Sequence, residues 1–357
     1  MAWKDLPERG VRWFDEVQQT RWWLAHPIGT IRKYADDRGS ALAGLVTFQM
    51  FLGLLPLLVV VLTVFGAVVD GSGSLRAAAL ESALGQLPVL GDRLEDDVSA
   101  LTVGGPWVVI SVVGLLWTAL GIYNSLQLAL NQVWNVPGVH RQGFLSRLLR
   151  ALLLFLLIIG AAVGTALLRD DRLVAIEPAA LSTAVFGALS VLTTIVLLFG
   201  VFRLVVSPDV PTRHLVPAAM LAGLFWQLLQ RFGDWIVTRQ LTEARDLYGG
   251  LGFLVVLLLW MNLLARSAVF ANEWSVVSWE GLWPRRITQP PLTRADKIVL
   301  ERLIRNEQRR PEQHVAVWFD DAATGELSAD DHDEEPDRDG GGALRDQPRT
   351  ETARVEV

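Results

Sequence analysis

The chain has 357 residues, of which 51% are hydrophobic and 20% charged, and the apolar residues stack into long uncharged runs, which excludes an ordinary soluble domain. Cysteine is absent, so disulfides, thiolate metal sites and a cysteine nucleophile are excluded as well. The net charge of −6 describes a tail: residues 319 to 357 hold 13 Asp or Glu against 4 Arg, which leaves the rest of the chain net positive.

Residues 1 to 40 form a basic arm. Lys4, Arg9, Arg12, Arg21, Arg32, Lys33 and Arg38 are interleaved with Trp3, Trp13, Trp22 and Trp23, a mixture that suits either a helix at head-group level or one packed on the cytoplasmic face of a bundle. No apolar stretch there ends in a small-residue cleavage site, so the first span is expected to act as the insertion signal.

A bilayer core about 30 Å thick needs roughly 20 apolar residues of helix. Six runs meet that requirement and define a transmembrane domain over residues 41 to 277, with spans near 41–69, 106–133, 151–168, 179–206, 215–237 and 251–277. The fifth is interrupted by Gln227, Gln230, Arg231 and Asp234, which also fits a buried or interfacial helix. Between the first two spans, Leu80, Leu84 and Leu87, then Leu90, Leu94, Val98 and Leu101, predict two short amphipathic helices about Pro88. Lys and Arg concentrate in the arm, in the loop holding Arg141, Arg147 and Arg150, and after the last span at Arg285, Arg286, Arg294 and Lys297. That asymmetry places both termini in the cytoplasm and requires an even number of crossings.

Within residues 278 to 318, Thr293 and Asp296 have capping-box spacing, and Ile298, Val299, Leu303 and Ile304 supply an apolar face for a short helix. Residues 319 to 357 are too acidic and too poor in apolar side chains to fold. The expected class is therefore all-α, a polytopic bundle with short amphipathic helices in the first external loop and at both cytoplasmic ends.

Polar side chains inside spans are costly in hydrocarbon and mark either a pathway or helix-to-helix hydrogen bonding. Asn124, Gln127 and Asn131 share a face of the second span. Gln227, Arg231 and Asp234 recur at helical spacing in the fifth, and Asn262, Arg266 and Glu273 fall on one side of the sixth. Together they predict a polar cavity among spans two, five and six, in which Arg266 meets Glu273 or Asp234. Pro56 removes a backbone hydrogen bond from the first span and predicts a kink. Gly160-x-x-x-Gly164 allows close helix approach and with it a homo-oligomer. The five histidines have no metal-ligand spacing, and no phosphate-binding loop is present. Neither a metal, a cofactor nor a nucleic-acid partner is expected; membrane lipids are.

Several stretches in order resemble the YihY/BrkB family. They are Ala41 to Leu58 with its Gly-Leu-Leu-Pro-Leu-Leu ending, Tyr123 with Leu130-Asn131 and Trp134, Pro208 with Pro211, Tyr248-Gly249-Gly250-Leu251, Leu259-Trp260 and Glu273. The resemblance runs from about Trp22 to Trp279 and implies a six-helix bacterial inner-membrane protein. That family has carried ribonuclease and virulence-factor labels, and this sequence supplies no residues for RNA cleavage. Three function classes follow: movement of a lipid, small solute or ion through the polar cavity, a non-catalytic envelope scaffold that anchors partners, or, least favoured, a membrane-embedded enzyme.

Overall fold

A computed structural model describes residues 5–69, 106–137, 144–168, 179–248, 250–288, 292–308, 310, 312–313, 315–317 and 319. The expected loop helices about Pro88 and the acidic tail from residue 320 lie outside the described residues.

Every regular element among the described residues is a helix: α1 Asp5–Thr20, α2 Trp22–Asp36, α3 Gly39–Val69, α4 Pro106–Val133, α5 Phe144–Leu168, α6 Ala179–Val205, α7 Thr212–Tyr248, α8 Gly250–Glu280 and α9 Arg294–Asn306. The class is all-α. Helices α3 to α8 cover the six apolar runs because each run is long, sparsely charged and rich in Leu and Ala, which helices accommodate at little rotamer cost, and the fifth helix extends past its run to Tyr248. Three described stretches, Val113–Val133, Gly187–Val205 and Leu254–Glu280, are long and apolar enough to cross a membrane; Gly39–Leu54 is a shorter apolar helix.

The helices close into a ring. Each of α3 to α7 packs on its successor, and α8 returns against α3. Close approach depends on missing side chains: a Cβ at Gly121 of α4 would lie 2.5 Å from Gln49 Oε1 of α3, and one at Gly233 of α7 would lie 2.5 Å from the Trp260 ring of α8. Pro56 sits within α3, whose helix continues across it, and faces Gly114 of α4, where a Cβ would be 3.5 Å from the proline ring. At Gly160 a Cβ would meet nothing within 4 Å.

The core gathers at the end of the ring where α3 begins and α8 ends, hereafter the arm end. Tyr123, Leu130 and Val133 of α4, Phe202 and Val205 of α6, Leu215 and Ala218 of α7 and Val276 and Val277 of α8 are buried together. Three breaks shape that end. Arg38 adopts a left-handed backbone (φ 55°) between α2 and α3, Asn135 does the same (φ 53°) after α4, and Gly281 (φ 62°) closes α8. Behind Gly281 the Leu282 amide donates to the Val277 carbonyl at 3.1 Å, the bond that lets a helix end without orphan carbonyls.

The arm is two helices, and it packs on the protein. Helix α2 lies antiparallel to the last turns of α8, with Gly29 against the Leu282 carbonyl, where an added Cβ would be 3.1 Å away. Trp13, Trp22 and Trp23 remain exposed on the outside of the arm.

Candidate functional site

The most concentrated buried charge lies at the arm end, between α2, α4 and α8. Lys33 is on the last turn of α2, and its i+4 neighbour Asp37 follows in the turn to α3, a spacing that puts both on one side. Glu273 projects from the same level of α8. Lys33 Nζ donates to Asp37 Oδ2 at 2.5 Å, to Glu273 Oε2 at 2.8 Å and to the Val133 carbonyl at the end of α4 at 2.8 Å. These three acceptors use all three ammonium protons. The side chains are at most 1% exposed. Burial works against the Lys33 charge, but the Glu273 and Asp37 carboxylates outweigh it and hold the amine above its ordinary value. Beyond the shared amine, Glu273 Oε1 and Asp37 Oδ1 are both buried with no hydrogen-bond partner among the described residues.

Neighbouring bonds fix the frame. Next to Glu273, Asn272 accepts from the Trp134 indole N–H at 3.0 Å, which ties α8 to the end of α4. Ser275 donates to the His214 carbonyl at 2.6 Å, which ties α8 to the start of α7. His26 of α2 meets the Ser278 hydroxyl at 2.7 Å and packs against Trp274, and burial holds its ring below the usual histidine pKa.

A second charge network binds the arm to the segment after α8. Arg285, 2% exposed, donates to Asp36 at 2.6 Å and to Asp296 at 2.8 Å. Asp296 also closes the capping box of α9 with Thr293, as its spacing predicts. Asp15 of α1 accepts from the Gln18 amide (3.0 Å), the Ile287 amide (2.8 Å) and the Thr288 hydroxyl (2.7 Å). Burial pushes the Asp15 carboxyl up, and those hydrogen bonds from Ile287, Thr288 and Gln18 more than reverse it, to about 2. The arm's inner face is thus docked on protein, which decides between the two readings of its Trp-rich sequence for that face.

Of the residues singled out by sequence, Glu273 belongs to the triad, and its cation is Lys33. Arg266 is exposed on α8, as Arg231 is on α7; Asp234 lies on α7 with its side chain outside the described set. The expected Arg266–Glu273 pairing is therefore replaced, because α2 brings an amine to Glu273 on the inner side while Arg266 faces outward. Asn124 is exposed as well. The remaining amides are satisfied within the bundle: Gln127 donates to the Tyr123 hydroxyl one turn back on α4 at 3.4 Å, Asn131 accepts from the Ser207 amide just beyond α6 at 3.1 Å, Gln227 of α7 donates to Thr194 of α6 at 3.4 Å and Asn262 of α8 to Thr47 of α3 at 3.1 Å. Sequence reasoning missed Lys33, Asp37 and Arg285. The Lys33-x-x-x-Asp37 spacing was the available signal for the first two.

A model of the virulence factor BrkB family matches residues 30–292, a range that includes Lys33, Asp37 and Glu273. The chain is similar to a UPF0761 membrane protein of Actinobacillus pleuropneumoniae serotype 5b, at 25% identity over 67% of this chain and 85% of the relative. UPF0761 membrane proteins of Haemophilus influenzae and Aggregatibacter aphrophilus are each 22% identical, over 65% of this chain and 87% and 84% of their own lengths. No solved structure matches.

Proposed function

This chain belongs to the virulence factor BrkB family of membrane proteins, and from that premise we propose that it moves a small solute, a lipid or an ion across a bacterial cytoplasmic membrane. It crosses six times through α3 to α8, with the arm and the tail in the cytoplasm and membrane lipids around it. The observation that carries the reading is the Lys33–Asp37–Glu273 triad. Buried charge adds little to stability and can cost it, since well-packed apolar residues of the same volume often do better. In a membrane bundle, charge kept inside in spite of that marks a pathway or coupling site by default. The reading is non-enzymatic, and the relatives' names say only that they are membrane proteins.

Reconstitution into liposomes tests it. Flux of fluorescent lipids or small ions above protein-free vesicles is expected, with at least a tenfold loss in Glu273→Gln. Vesicles that stay silent across the whole panel would refute transport.

A scaffold is favoured by a different observation. The Arg285, Asp296 and Asp15 contacts weld the arm to the segment after α8 into one platform at the arm end. A scaffold would tolerate Glu273→Gln as long as the variant folds.

A further inference from the structure

The triad has more negative than positive charge, and among the described residues no further cation bonds to it. Lys33 must be an ammonium, since its nitrogen meets three acceptors and no donor. Two ionised carboxylates around it would leave one uncompensated negative charge in a site at most 1% exposed. Both carboxylates bind the same nitrogen, so their bonded oxygens lie within the sum of two hydrogen-bond lengths of each other. Each also keeps one buried oxygen, Asp37 Oδ1 and Glu273 Oε1, that no donor among the described residues reaches. An added hydrogen is what both orphan oxygens lack.

We propose that Asp37 and Glu273 together hold one exchangeable proton, and that this proton is the coupling ion of the transport cycle. The second half rests on the transport reading; the first does not. Bound, the proton makes the triad neutral, with Lys33 positive and one carboxylate negative. Released, it leaves a net negative charge that draws on Lys33 from both sides, which favours a conformation admitting water or a cation to the orphan oxygens.

The charged and titratable groups around the site leave no other neutraliser among the described residues. Helix α2 and its following turn contribute Lys33 and Asp37, α8 contributes Glu273, and α4 contributes a backbone carbonyl. Asp36 is engaged by Arg285. His26 is held at Ser278, and His214 of α7 sits between the Trp134 and Trp279 rings.

Infrared difference spectroscopy on the purified full-length protein reads the proton directly. A protonated-carboxyl carbonyl band is expected at neutral pH, lost on raising the pH, and absent from both Glu273→Gln and Asp37→Asn, because one proton serves both groups. Should one variant fail to fold, the other carries the same readout. A missing band in the wild-type protein, or one that survives both substitutions, overturns the proposal. So does a pH response that disappears when sodium is replaced by choline, which would make sodium the ligand. Liposomes supply the second arm: flux should follow an imposed pH gradient. A band that behaves as expected, with no flux under any gradient, leaves the proton site standing and sinks the transport reading.

Discussion

The arm end and the wall formed by α5 and α6 are made of similar helices and bury different things. At the arm end, α2, α8 and the segment after α8 exclude solvent around paired charges: Lys33, Asp37, Glu273, Arg285 and Asp296 are all nearly inaccessible. On the outer faces of α5 and α6 the long side chains point away from the protein, with Leu153, Leu156, Leu192 and Val196 between 51% and 65% exposed. Hydrocarbon satisfies an outward leucine as well as a protein core does, so that wall needs no partner. A charge has no such alternative, and the chain must provide its counterpart. Specific pairing is therefore concentrated at one end of the molecule, and nonspecific apolar surface covers the wall.

Breaking the triad is the most severe test of that contrast. Lys33→Met leaves Asp37 and Glu273 facing each other without a cation and should cost about 3–5 kcal/mol, read as a fall in the detergent melting midpoint. The same assay on Leu156→Ala should show far less. Arg285→Ala comes next, since it strands Asp296 and releases Asp36 toward solvent, at about 1.5–3 kcal/mol. A cost near zero would mean that the arm and the segment after α8 are held by packing alone.

Acid should loosen the arm before the wall. Asp15 is held at about 2 against 3.8 for the free side chain, so its contribution is fully present above 3.8 and is lost as the pH falls toward about 2. Tryptophan emission should report that release, worth about 1–2 kcal/mol, and Asp15→Asn should reduce the pH dependence in this range, leaving the part that Asp296 contributes. The smallest effect is expected from Arg266→Ala, within about 0.5 kcal/mol, because that side chain is already exposed. A large loss there would return Arg266 to the interior and undo the assignment of Lys33.

The helices were legible because an apolar run of some twenty residues has few other ways to satisfy its backbone. Glu273 was legible for a related reason, as a carboxylate in such a run attracts notice. Its partner was not. Lys33 lies 240 residues away in sequence, in an arm whose basic residues read equally well as head-group contacts, and its i+4 acid looks like any solvated surface pair. Gln127 and Asn131 show the converse. They were placed with Asn124 on one face lining a cavity, yet helical spacing says nothing about whether an amide faces a cavity or the Tyr123 hydroxyl and the Ser207 amide, and Asn124 is exposed.

The span of the Lys33–Glu273 contact bears on how the protein is made. The amine leaves the ribosome 240 residues before the carboxylate, on the order of ten to fifty seconds at ordinary elongation rates. During that interval helices α3 to α7 are made while Lys33 has only Asp37 for company. Helix α8, made last of the ring, thus brings Lys33 its second carboxylate, and a nascent chain cut short before α8 carries that amine without Glu273.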